Sequence, residues 1–191
     1  SRVTAFIQHR FKFNSEKIIN LKFALDSITT FDTTFSSMNY FTATIGVRSH
    51  YWTYNNQNVL SPRINIKWRP AFYKLENNQL IRKNITLRLA SGYYYQPPFY
   101  RELRDSSGTV QPNVKAQKSF HVVLGNEYSF DLWERPFKLV SEVYYKGLSD
   151  VNPYTLENVR IRYRAKNNAT AYAYGLDLRL NGEFVPGTES W

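Results

Sequence analysis

The chain has 191 residues, 42% of them hydrophobic and 17% aromatic, and carries a formal net charge of +10. That hydrophobic share sets it apart from compositionally disordered chains. The lack of cysteine excludes disulfides, thiolate catalysis and cysteine-bound zinc, and the cations are scattered rather than gathered into the tract or helix face of a nucleic-acid footprint, so no nucleic-acid partner is expected.

No apolar run approaches the roughly 20 residues of a membrane helix. Period-two alternation dominates instead, and it predicts strands. In the first segment Ala5, Ile7, Phe11 and Phe13 alternate with Thr4, Gln8, Arg10 and Lys12. Asn14-Ser15-Glu16-Lys17 reads as a break. The stretch from Ile18 to Leu25 is ambiguous. Ser27 to Ser37 is rich in Ser, Thr and Phe, which disfavours a helix, and reads as a connection with some strand character. A strand follows from Phe41 to Trp52, and Asn55 to Asn58 reads as a turn.

Leu60 to Tyr73 comes next, with Ile64, Ile66 and Trp68 set against Arg63, Asn65, Lys67 and Arg69. Glu76-Asn77-Asn78 breaks it. In the following strand, Ile85 to Tyr95, Ile85, Leu87 and Leu89 oppose Thr86, Arg88 and Ala90. A long connection from Gln96 to Ala116 carries Pro97-Pro98 and Asp105-Ser106-Ser107-Gly108. Phe120 to Phe130 and Phe137 to Gly147 alternate again, joined by a short turn from Asp131 to Pro136. Ser149 to Thr170 is a second long connection, with room for a short hairpin around Val159 to Tyr163. Tyr172 to Val185 is the last strand, with Tyr172, Tyr174, Leu176, Leu178 and Leu180 on one face and Asp177 and Arg179 on the other. Pro186-Gly187 reads as a turn. The strand-like opening from Ser1 to Phe6 and the abrupt close at Ser190-Trp191 lead to the expectation that the natural chain continues at both ends.

The expected fold is all-β: an antiparallel, curved meander sheet of about eight to ten strands, forming part of a transmembrane β-barrel. Alternation alone also fits a soluble β-sandwich. Three features favour the barrel. Strands such as Asn39 to Trp52 and Phe120 to Phe130 reach the roughly 9–11 residues that cross a bilayer at a tilt. Aromatics cluster near strand ends, at Tyr51-Trp52-Tyr54, Phe72-Tyr73 and Tyr93-Tyr94-Tyr95, as interfacial girdles do. The polar face is rich in Arg and Lys, which a water-filled lumen accepts and an oily core does not. On this reading Ile64, Ile66, Trp68, Val159, Ile161, Leu176, Leu178 and Leu180 face lipid, and Arg63, Lys67, Arg88, Asp177 and Arg179 face inward. Membrane lipid and lipopolysaccharide are the expected surroundings in a bacterial outer membrane. The alternatives are a soluble all-β glycan-binding module and a small complete outer-membrane barrel.

The stretch from Leu89 to Glu102, which contains Gly92-Tyr93-Tyr94-Tyr95-Gln96-Pro97-Pro98-Phe99-Tyr100-Arg101-Glu102, resembles the mid-barrel of TonB-dependent outer-membrane receptors. So does Lys115-Ala116-Gln117-Lys118-Ser119-Phe120-His121-Val122-Val123-Leu124-Gly125. Glu142-Val143-Tyr144-Tyr145-Lys146 and Tyr174-Gly175-Leu176-Asp177 are similar to later barrel strands of that family. The resemblance covers roughly Val3 to Trp191, and its motifs are strand and loop phrases without catalytic residues. It implies a barrel of about 22 strands with an N-terminal plug domain, ligand uptake driven by the inner-membrane TonB system, and no enzymatic activity. All 191 residues would then belong to one barrel domain, with the plug and remaining strands elsewhere. Against this pattern, Leu25 to Met38 reads as an insertion where a short turn is expected.

No Gly-rich phosphate loop or G-x-S-x-G elbow is present, and His9, His50 and His121 lack metal-ligand spacing. No catalytic residue, metal or cofactor is therefore expected. The candidate ligand-binding residues lie at the start of the first long loop: Tyr95 and Gln96, then Phe99 and Tyr100 for stacking, and Arg101, Glu102 and Arg104 for polar contacts; the alternative is that Tyr95-Gln96-Pro97-Pro98 fixes a strand exit and packs against neighbouring loops. Arg160, Arg162, Arg164 and Lys166, two apart, fall on one face of a strand. They suit either a lumen wall or a solvated hairpin above the membrane.

Overall fold

The computed structural model describes residues 2–26, 29–76, 79–185 and 187. It contains strands β1 (Arg2–Asp26), β2 (Thr29–Trp52), β3 (Gln57–Arg69), β4 (Phe72–Glu76), β5 (Gln79–Gln96), β6 (Gln117–Leu132), β7 (Arg135–Val151), β8 (Tyr154–Glu157), β9 (Arg160–Tyr163) and β10 (Ala169–Gly182). Eight of them form one antiparallel sheet in the order β1-β2-β3-β5-β6-β7-β10, with β4 added as a short hairpin arm on β5. β8 and β9 form a separate two-stranded sheet. The main sheet is open, with β1 and β10 at its edges.

The strand registers join the alternating residues into rows. One row runs Phe11, Ala43, Ile66, Leu89, Leu124, Val143, Leu176 across seven strands without a polar side chain. The row beside it, pointing to the other face, runs Lys12, Thr42, Lys67, Arg88, Gly125, Glu142, Asp177. Each face is therefore continuous because directly opposed residues in an antiparallel pair project to the same side. Aromatics flank the apolar rows at both ends. Phe13, Phe41 and Trp68 follow one another across β1, β2 and β3 at one, and Tyr93 meets Phe120 with ring centroids 5.1 Å apart at the other.

Two glycines on β10 are covered by rings from β7. A Cβ at Gly175 would collide with the Tyr144 ring, and one at Gly182 with the Phe137 ring. The rings fill the space that the missing side chains leave.

Several sequence expectations need correction. Asn14 to Lys17 does not break the chain, and 29–37 is not a connection. Both lie within β1 and β2, which pair from Arg2 with Trp52 to Asp26 with Thr29. β2 meets β3 only from Tyr40 to Trp52, so the segment read as an insertion is the outer part of a two-stranded arm. The polar residues are tolerated there because the two strands satisfy each other's backbone groups. Val159 and Ile161 do not belong to the apolar face of the main sheet. Ile161 sits in β9, and Val159 occupies the β8–β9 turn with φ 69. The turns expected at Glu76-Asn77-Asn78 and Pro186-Gly187, and the tip of the β1–β2 arm, fall partly outside the described residues.

The turn between β6 and β7 is two residues, Trp133 (φ 54) and Glu134 (φ 60). Positive φ at both positions is the twist-matched geometry of a tight hairpin. At the opposite end of the sheet lie the β2–β3 turn and the two long connections, 97–116 and 152–168. A buried apolar cluster is there, where the loops meet the end of β2: Trp52, Leu103 and Val114 pack together, with Ala165 against them.

Candidate functional site

The long loops are locked by amide side chains. Asn152, 3% exposed, donates through Nδ2 to the Glu102 carbonyl at 2.8 Å and accepts from the Lys166 N–H at 3.3 Å. Asn167 donates to the carbonyls of Lys115 and Asp150 and accepts the Lys115 N–H at 2.7 Å. Asn55 donates to the Val114 carbonyl, and Gln57 accepts the Ala116 N–H. One side chain thus satisfies two or three backbone groups that no strand partner reaches. The three connections form one cap.

The proposed ligand residues divide within this cap. Glu102 is buried; its carboxylate accepts the Phe99 N–H at 2.8 Å and the Gln117 side-chain amide at 3.2 Å. It holds the loop start in shape. Arg104 donates to the Gly108 carbonyl and the Tyr100 hydroxyl, with its guanidinium 4.9 Å from the Tyr100 ring centre. Phe99 and Tyr100 are 61% and 66% exposed, and Arg101 is exposed beside them. Tyr95 and Gln96 line a separate cavity of about 420 Å³ with Lys118, His121 and Lys146. Asp105 closes the loop tip. Hydrogen bonds from Ser107, and then Gln111, hold its carboxyl below the usual aspartate range.

Of the basic set, Arg160 and Arg162 lie on β9 and Arg164 and Lys166 follow it. Ala165, at φ 51, interrupts the extended chain between the last two. The four therefore do not share one strand face, and they stand on the loop end rather than on the main sheet. Arg162 pairs with Glu157 at 2.6 Å and donates to the Ser106 carbonyl at 3.0 Å.

A second constellation was missed in the sequence. The polar face of β1, β2, β3 and β5 holds a trough of about 810 Å³, lined by Arg10, Lys12, Arg48, Arg63 and Lys67 among others and by no carboxylate. The Arg63 guanidinium lies 4.2 Å from the Tyr94 ring centre. Gly92 permits this crossing, since a Cβ there would come within 2.9 Å of Arg63 Cγ and the Pro62 carbonyl. The signal was present: no Asp or Glu occurs from 33 to 75, while cations recur on the polar phase of the alternation. Among the described residues, no three His, Asp or Glu side chains converge on a point.

Comparison of the chain with family models, with curated proteins and with solved structures finds no match.

Proposed function

We propose that the chain is a barrel region of a TonB-dependent outer-membrane receptor, which binds a ligand outside the cell and passes it through the lumen without covalent chemistry. The observation that carries this reading is the apolar row seven strands wide. Leu124, Val143 and Leu176 in it are 57%, 55% and 61% exposed. A soluble sandwich covers such a face with a second sheet. The second sheet among the described residues is β8–β9, with four residues per strand, far too small to cover it. Hydrocarbon covers it instead. β5, β6 and β7 have 18, 16 and 17 residues, more than the roughly 9–11 that cross a bilayer. An open sheet edge is not tolerated in lipid, so β1 and β10 are paired by further strands in the working barrel.

Short turns mark the periplasmic side of such barrels and long loops the outside. The Trp133–Glu134 turn is then periplasmic, and the cap of long loops is extracellular, presenting Phe99, Tyr100 and Arg101. The chain has no cysteine, so a cysteine introduced into it is the one thiol within these 191 residues. On intact cells, Ser107→Cys is expected to react with a membrane-impermeant maleimide and Glu134→Cys to react only after lysis. Labelling of Glu134→Cys alone on intact cells reverses the orientation, and equal labelling of both denies a membrane between them.

A further inference from the structure

We infer that the trough on the polar face is a binding site for a multivalent anion, a solute carrying several carboxylate, sulfate or phosphate groups. This deepens the receptor reading and rests on it for the trough's place on a passage. The site itself follows from the side chains.

The polar face is divided by charge. From β1 to β5 the row Lys12, Thr42, Lys67, Arg88 is cationic or neutral, and from β7 to β10 it becomes Glu142 and Asp177. The boundary is neutralised internally, since Glu127 pairs with Arg88 at 2.5 Å and with Lys138 at 3.0 Å. Beyond it the compensation weakens: among the described residues, no salt bridge engages the trough's five cations, Arg10, Lys12, Arg48, Arg63 and Lys67, and of these Lys67 alone is near enough to Glu127 to feel its charge. Arg10 and Lys12 are alternate residues of β1, roughly 7 Å apart along the strand, and Lys12 and Lys67 flank Thr42 of β2, roughly 10 Å apart across two strand spacings. That spacing suits several anionic groups on one molecule, and the trough's volume falls in the range of small-molecule sites, roughly 300–1,000 Å³.

Two further details point to a ligand rather than to a merely solvated wall. Ser61, 1% exposed, lines the trough with its hydroxyl unpartnered, and Arg63 Nε is buried and unpartnered beside it. Buried polar groups of this kind ordinarily have partners. The Tyr94 ring meanwhile holds the Arg63 guanidinium in place, which lowers the ordering cost of a bidentate contact to a carboxylate or phosphate.

The test uses the whole receptor that contains this chain, purified in a neutral detergent, and titrates it with tetragalacturonate, inorganic tripolyphosphate and uncharged maltotetraose, read by calorimetry. Binding of either anionic probe, weakening as salt rises, and no binding of maltotetraose is expected. The two anionic arms separate carboxylate from phosphate chemistry. The triple variant Arg48→Gln, Arg63→Gln, Lys67→Gln should weaken binding by about tenfold or more. A control with the same change in net charge, Arg160→Gln, Arg164→Gln, Lys166→Gln, should bind as the unaltered receptor does. Failure of both anions to bind the unaltered receptor, binding of maltotetraose as tight as theirs, or equal losses in the two triple variants would overturn the inference. Cysteine labelling of Ser107→Cys and Glu134→Cys is independent of these titrations, so the anion site can fail while the receptor reading stands.

Discussion

Replacing Leu124 and Val143 together with arginine is expected to abolish assembly into the outer membrane. The two residues are direct partners near the middle of β6 and β7 and are the fifth and sixth of the seven residues in the apolar row. An arginine on the lipid face of a barrel costs roughly 2–4 kcal/mol at mid-depth, and two opposed cations add their mutual repulsion. The combined penalty is comparable to the roughly 5–15 kcal/mol that holds a typical domain folded. The same substitutions at Val123 and Tyr144, which pair on the polar face, should be tolerated far better. Fractionation of outer membranes checks this: the first pair should be depleted from the membrane and the second retained. Equal recovery of both would mean that the apolar row does not face hydrocarbon.

The second large effect is expected in the cap. Asn152→Ala removes the partner of the Glu102 carbonyl and of the Lys166 N–H at once. Leaving buried polar groups unpaired costs about 1–3 kcal/mol each. The loss should be local, because the main-sheet strands keep their own hydrogen bonds. Amide exchange in 99–104 and 164–168 should accelerate by about tenfold or more, while exchange in β6 and β7 stays unchanged. An unaltered rate in both loop segments would show that Asn152 does not hold the cap together.

The main sheet was legible because each strand alternates strongly enough to be read alone. Ile64, Ile66 and Trp68 against Arg63, Lys67 and Arg69 need no knowledge of their neighbours. The β1–β2 arm was not legible, because Asn14 to Lys17 and the Ser/Thr-rich run before Met38 look like turn material locally. Their strand state is set by a partner strand whose pairing is a tertiary fact. The cap was hidden for a related reason. Asn152 reaches Glu102, and Asn167 reaches Lys115, across about 50 residues of sequence, and nothing in an isolated asparagine announces its partner. The Arg160 to Lys166 series misled in the opposite direction, since perfect period-two spacing continued past the end of a strand only four residues long. The trough needed three strands to be aligned before Lys12 and Lys67 fell into one row.

Whether one face of this sheet meets hydrocarbon and the other meets water can be read residue by residue along β6. Single spin labels at His121, Val122, Val123 and Leu124 in lipid vesicles report collisions with oxygen, which concentrates in hydrocarbon, and with a water-soluble nickel chelate. Oxygen maxima are expected at Val122 and Leu124 and nickel maxima at His121 and Val123, in strict alternation. Nickel access at all four positions, or the opposite phase, would contradict it.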